Sequence, residues 1–162
     1  MKTLYIGIDC GAKGAVAFVS SESVKVFDMP TNSNGIVDTY GLYIMIQNNI
    51  GGKTIIGIEE QGVKGNLTSR KSAFIMGRNY QAVINAVQDT TNASIIYIKP
   101  QQWKKTLGVL GTSAMSVNEK KKITAELVKD VFPNADIFGK RGGLKDGRAD
   151  ALAIAEYLRR KY

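Results

Sequence analysis

Apolar and polar positions alternate at the start of the chain. Leu4, Ile6 and Ile8 fall on one side of an extended segment, which predicts a strand over 4–8. A turn at 11–14 leads into a second apolar run, 14–19, and a third run, 24–27, ends before Pro30. Three such runs in close succession predict an antiparallel meander. The period then changes. Asp38 is a good N-cap for a helix running to about Asn48, which Gly51 and Gly52 stop. Residues 54–59, with Ile55, Ile56 and Ile58, predict a fourth strand. Ala73, Met76, Tyr80, Val83, Ile84 and Val87 recur at helical spacing between Ser72 and Gln88. A fifth strand over 94–98 is stopped by Pro100, and 101–107 suits a short helix. Ser116 caps a helix to Val131, with Glu119 at the capping-box position, and a last helix follows Gly142 and Gly143 to Tyr162.

The order βββαβαβ, then helices, lets strands one, four and five run parallel with helices in their connections. The expected fold class is therefore α/β: a five-stranded mixed sheet flanked by helices, in one domain over 1–162. At 162 residues and 44% hydrophobic, the chain can bury a sizeable core. It has no apolar run long enough to span a bilayer and no signal-peptide pattern at its start, so the expectation is no membrane. The single cysteine, Cys10, excludes an intramolecular disulfide and suits a reducing compartment. With no histidine, His-based triads and His-containing zinc sites are excluded. The net charge of +8 points to a polyanionic partner, a generic basic protein being the other reading.

The acids sharpen this. Asp9 ends the first strand and Glu59 ends the fourth. If those strands are parallel neighbours, about 4.8 Å apart, the two carboxylates share one rim. Asp146 and Asp150 are four residues apart, on nearly one face of the last helix, which could close over that rim. Such a cluster repels itself without cations, and hard divalent ions such as Mg²⁺ prefer oxygen ligands. Two ions about 4 Å apart can activate water and stabilise the leaving oxygen of a phosphodiester. Each acid also has a structural reading: Asp9 as a turn former, Glu59 and Glu60 as solvated strand-end charges, Asp146 as a helix-dipole charge.

Several cations are candidate contacts to a phosphate backbone. Lys104 and Lys105 follow Trp103, itself either a core side chain or part of the site. Lys120 opens the run Lys120–Lys122, which as easily marks a solvated face. Arg70, Lys71 and Arg78 lie at or near the start of the helix after Glu59. Arg148 sits between the last two acids, and Lys64 lies in a Gly- and Asn-containing loop.

Four segments together carry a family resemblance. YIGIDCGAKGAVAFV resembles the first-strand motif of RuvC-type Holliday junction resolvases, and IIGIEEQ resembles the strand ending in that family's catalytic Glu. KPQQWKK resembles the segment with a basic DNA contact, and KDGRADALAIAEYLRR is similar to the terminal motif with the last two acids. The DGRAD form is closer to phage members of the family. The resemblance implies an RNase H-like fold, a homodimer, and paired nicking of four-way DNA junctions and other branched DNA. It also implies catalytic, metal-binding Asp9, Glu59, Asp146 and Asp150, with Mg²⁺ as cofactor, two ions per site and Mn²⁺ as a substitute. The implied location is the cytoplasm of a bacterial or phage-infected cell. Two other readings of the sequence stay open. One is an RNase H-like nuclease acting on rRNA precursor, flaps or forks. The other is a non-catalytic basic module that binds nucleic acid.

Overall fold

The computed structural model describes residues 2–62, 69–90 and 93–162. Among these residues the chain forms five strands and five helices. The strands are β1 (Thr3–Asp9), β2 (Ala15–Val19), β3 (Val24–Asp28), β4 (Lys53–Glu59) and β5 (Ser94–Ile98). The helices are α1 (Thr39–Gln47), α2 (Arg70–Gln88), α3 (Pro100–Thr106), α4 (Val117–Val131) and α5 (Asp146–Lys161). The strands make one sheet in the order β3-β2-β1-β4-β5. β1, β2 and β3 pair antiparallel, as the meander predicts. β1, β4 and β5 pair in parallel. None of the helices is long and apolar enough to cross a membrane.

Local chemistry explains where elements begin. The Ser69 hydroxyl accepts the Ser72 backbone N–H at 3.1 Å, so α2 starts two residues before the periodicity suggests. Pro100 opens α3, where its missing N–H costs nothing. Ser116 and Glu119 cap α4 reciprocally, a complete capping box.

Strand alternation splits the core in two. Ile6, Ile8, Ile56 and Ile58 are fully buried on the face covered by α1 and α2, each contributing about 1.5–3 kcal/mol. The other face carries Ala15, Ala17 and Ile55 and is covered by α5, with α3 and α4 beside it. On that face Gly7 and Gly57 stand opposite each other in the β1–β4 register. A Cβ at Gly7 would lie 2.1 Å from the Ala151 carbonyl oxygen, and one at Gly57 2.9 Å from Leu158 Cδ1. The glycine pair therefore forms a trough that lets the α5 backbone lie directly on the sheet.

Candidate active site

Asp9 and Glu59 lie at matching ends of β1 and β4. The parallel register pairs Ile8 with Ile58, so the following carboxylates stand abreast, about 4.8 Å apart by backbone. Alternation sends both to the α5 face and sends Ile8 and Ile58 to the opposite core. Gly14 closes the turn after Asp9: its N–H donates to the Gly11 carbonyl at 2.8 Å, and a Cβ there would meet the Asp9 carbonyl oxygen at 2.1 Å. The Gly11 N–H donates to Asp9 Oδ1 at 3.3 Å.

α5 brings the other two acids. Asp146 is its first residue and Asp150 lies one turn later. Gly147 fixes the approach, since a Cβ there would lie 2.3 Å from the Lys13 carbonyl oxygen. The electrostatics show which groups share a site. Burial, then Glu59 and Asp146, raise the Asp9 carboxyl from its ordinary 3.8 to about 7, against the pull of the Gly11 N–H and of Lys104. Burial likewise raises Asp150 to about 7; Lys104 opposes this, while Asp9, Glu59 and Asp146 add to it. Burial and the same two strand-end acids raise the Cys10 thiol. The rim thus gathers Asp9, Glu59 and Asp150 with Asp146 at its margin; Lys104 acts on Asp9 and Asp150, and Lys121 on Asp146 and Asp150.

Two of the acids are held by partners the sequence did not reveal. Glu59, nearly buried, accepts Trp103 Nε1 at 2.9 Å. Trp103 is itself fully buried, so it belongs both to the core and to the site. Asp146 Oδ2 meets Lys121 Nζ at 2.5 Å on the α4 side. As placed, among the described residues no three acidic or cysteine side chains stand close enough to hold one ion. The donor set still suits a hard divalent cation: it is all oxygen, and burial first, then the neighbouring acids, raise Asp9 and Asp150.

The remaining sequence candidates separate. Lys104 is half-buried and lies over the Trp103 ring, 4.9 Å from its centroid, whereas Lys105 is exposed. Lys120 packs its stem against Gly111. Arg70, Lys71 and Arg78 are exposed on the first half of α2, with Arg78 beside the Phe74 ring at 5.9 Å. Arg148 turns away from the acids. Its Nε donates to Asp28 at 2.7 Å and its Nη1 to Asp136 at 2.5 Å, pinning the first turn of α5 to β3 and to the loop after α4. Its place between two acids in the sequence thus corresponds to a structural clamp. Lys64 lies outside the described residues.

Sheet order, the mixture of parallel and antiparallel pairs, and the position of α5 define an RNase H-like fold. No protein-family model matches the chain, and no curated protein sequence does. Among solved structures, the chain is similar to Thermus thermophilus RuvC in complex with its Holliday junction substrate. The TM-score is 0.59 at 16% identity, over 99% of this chain and 96% of that one. A second T. thermophilus RuvC structure gives 0.58 at 18% identity, over 99% and 97%. The yeast mitochondrial Holliday junction resolvase Ydc2 gives 0.60 at 14% identity, over 98% and 77%. At these identities the likeness is one of fold.

Proposed function

We propose that this chain is a divalent-metal-dependent endonuclease that resolves four-way DNA junctions by paired nicks, acting as a homodimer. One observation carries the reading: acids from β1, β4 and α5, far apart in sequence, share one partly buried rim, with Lys104 and Lys121 beside it. The fold likeness to RuvC with its Holliday junction, and to a mitochondrial resolvase, favours branched DNA as substrate.

Asp9, Glu59 and Asp150 would hold Mg²⁺, or Mn²⁺ in its place, with Asp146 completing the set. The bound ions supply an activated water and a stabilised leaving oxygen. The protein's own groups do the rest. Trp103 fixes one Glu59 oxygen and thereby the orientation of that carboxylate. Lys104 offers a positive charge where a scissile phosphate gains negative charge. Asp146, which pairs with Lys121 here, would join the ligand set, and the Lys121 ammonium beside it would offer positive charge to a phosphate. For the dimer, α2 presents Phe74, 68% exposed, on its solvent side, and two-fold pairing would give two sites for two strands.

Labelled four-way, three-way, flap and linear substrates, each with and without Mg²⁺, test the proposal. Symmetric paired nicks on the four-way junction, dependent on metal, are expected. Metal-dependent cutting confined to flaps, forks or RNA would transfer the fold to another substrate. Tight binding with no cutting of any substrate would make the chain a binding module.

A further inference from the structure

Next to the acids, α4 and the segment 138–144 enclose an open groove of about 700 Å³. That is within the roughly 300–1,000 Å³ of small-molecule-sized sites. Lys121, Lys122 and Lys129 line it from α4, and Phe138 and Leu144 from the other side, over Ala125. Asp146 also lines it, so the groove shares one residue with the acid cluster.

The 138–144 segment is a built feature. Phe138 and Leu144 pair as an antiparallel bridge, and the Gly139 N–H donates to the Gly143 carbonyl at 2.8 Å. Gly142 takes the left-handed conformation, φ +76°, that the tip requires. The Lys145 N–H then donates to the Ile137 carbonyl at 2.8 Å, closing the base of the hairpin just before α5. The tip carries Lys140 and Arg141, both exposed, and neither makes an ion pair among the described residues. Phe138 is 43% exposed, with Lys129 Nζ 5.9 Å from its ring centroid.

The chemistry selects the occupant. Glu126, Asp130 and Asp146 offset Lys121, Lys122 and Lys129 in the lining, so the walls are close to neutral; exposed Lys140 and Arg141 precede Gly142, which lines the groove, and add positive charge at its edge. An exposed aromatic face with an apolar floor suits the flat face of a base, and cations on both sides suit phosphates. A duplex keeps its base faces inside the stack, so only an unpaired strand can offer one to Phe138. We propose that this groove takes an unpaired stretch of nucleic-acid strand, with base faces on Phe138 and Leu144 and phosphates on Lys122, Lys140 and Arg141. The proposal rests on the nuclease reading for its class of substrate, but binding in the groove needs neither metal nor cleavage.

The test is equilibrium binding in EDTA, read by fluorescence anisotropy, of a labelled oligothymidylate of about 12 nucleotides and of a duplex of equal length. Phe138→Leu keeps the apolar bulk of the hairpin and removes the ring. It should weaken oligothymidylate binding about tenfold and leave the duplex nearly unchanged. A sugar-phosphate strand without bases should bind wild type and Phe138→Leu equally. Lys140→Ser with Arg141→Ser should lower the salt slope by about 1.4 for the single strand. Equal oligothymidylate affinity in wild type and Phe138→Leu, or an equal loss on the duplex, overturns the proposal. The two readings fail separately. A protein that nicks junctions without using Phe138 loses the groove alone; one that binds strand through Phe138 and nicks nothing loses the nuclease alone.

Discussion

Removing one acid from the rim should make the protein more stable at neutral pH. Asp150→Asn is the cleanest case, because the amide keeps the shape and removes the charge. The sign follows from proton binding. The folded state raises Asp150 from 3.8 to about 7, so between those values it binds more protons than the unfolded chain. Stability therefore falls as pH rises through that window and levels off above about 7. From pH 5 to pH 7 the change has a ceiling of about 3 kcal/mol for this group, at about 1.4 kcal/mol per pKa unit. Asp9 behaves in the same way. The two repel each other, so their effects overlap and the gain from one substitution is nearer about 2 kcal/mol.

At this chain length about 2 kcal/mol moves the melting temperature by roughly 4–8 °C. In EDTA, Asp150→Asn should melt higher than wild type by that amount at pH 8 and match it more closely at pH 5. Groups with shifts of other origin do not intrude: Asp28, lowered by Arg148, acts only below pH 4, and the raised Cys10 thiol only above pH 9. Mg²⁺ supplies the missing charge by another route, so it should raise the wild-type melting temperature at pH 8 more than that of Asp150→Asn. Melting curves at pH 5, 6, 7 and 8, with EDTA or Mg²⁺, decide the matter. A variant that melts at or below wild type at pH 8, with the same pH slope, would refute the idea that these acids sit together short of positive charge.

Glu59→Gln should abolish metal-dependent nicking with little loss of DNA affinity, while Glu60→Gln keeps activity; the reverse result in a nicking assay would move the ligand to Glu60. Lys104→Ala should weaken junction binding and lower its salt slope by about one phosphate, whereas Lys105→Ala leaves the slope alone, as titrations at several salt concentrations would reveal. Phe74→Asp should shift the sedimentation of the protein from twice the chain mass to the chain mass and turn paired nicks into single ones. A wild-type monomer that still cuts in pairs would sink the dimer.

The backbone was legible because its signals are local. Alternation marked the strands, Asp38 and Ser116 marked helix starts, and Pro100 marked a stop. The rim was legible because two acids end strands whose long, helix-containing connections let them run parallel. What escaped was what depends on packing between distant segments. That Trp103 would reach Glu59 required knowing that α3 lies under α5. Arg148 looked like a site residue because it sits between two acids, but a helix turns each successive residue by about 100°, which sends it to Asp28 and Asp136. The 138–144 hairpin has a basic, Gly-rich sequence that also reads as an ordinary loop. Only the fold sets it beside α4.

The glycines connect the fold to the chemistry. Asp150 immediately precedes Ala151, whose carbonyl oxygen would lie 2.1 Å from a Cβ on Gly7. Any side chain at Gly7 must lift α5 by more than an ångström at the level of Asp150. A side chain at Gly147 would push the first turn of the same helix away from the β1–β2 turn that holds Asp9. A misplacement of about 1 Å in a reacting constellation can cost about a hundredfold in rate. Gly7, Gly57 and Gly147 set the distance between the strand-borne acids and the helix-borne ones. The glycine between Asp146 and Arg148 has a structural reason: Arg148 anchors the turn to Asp28 and Asp136, and the absence of a Cβ lets it lie against Lys13 and Gly14.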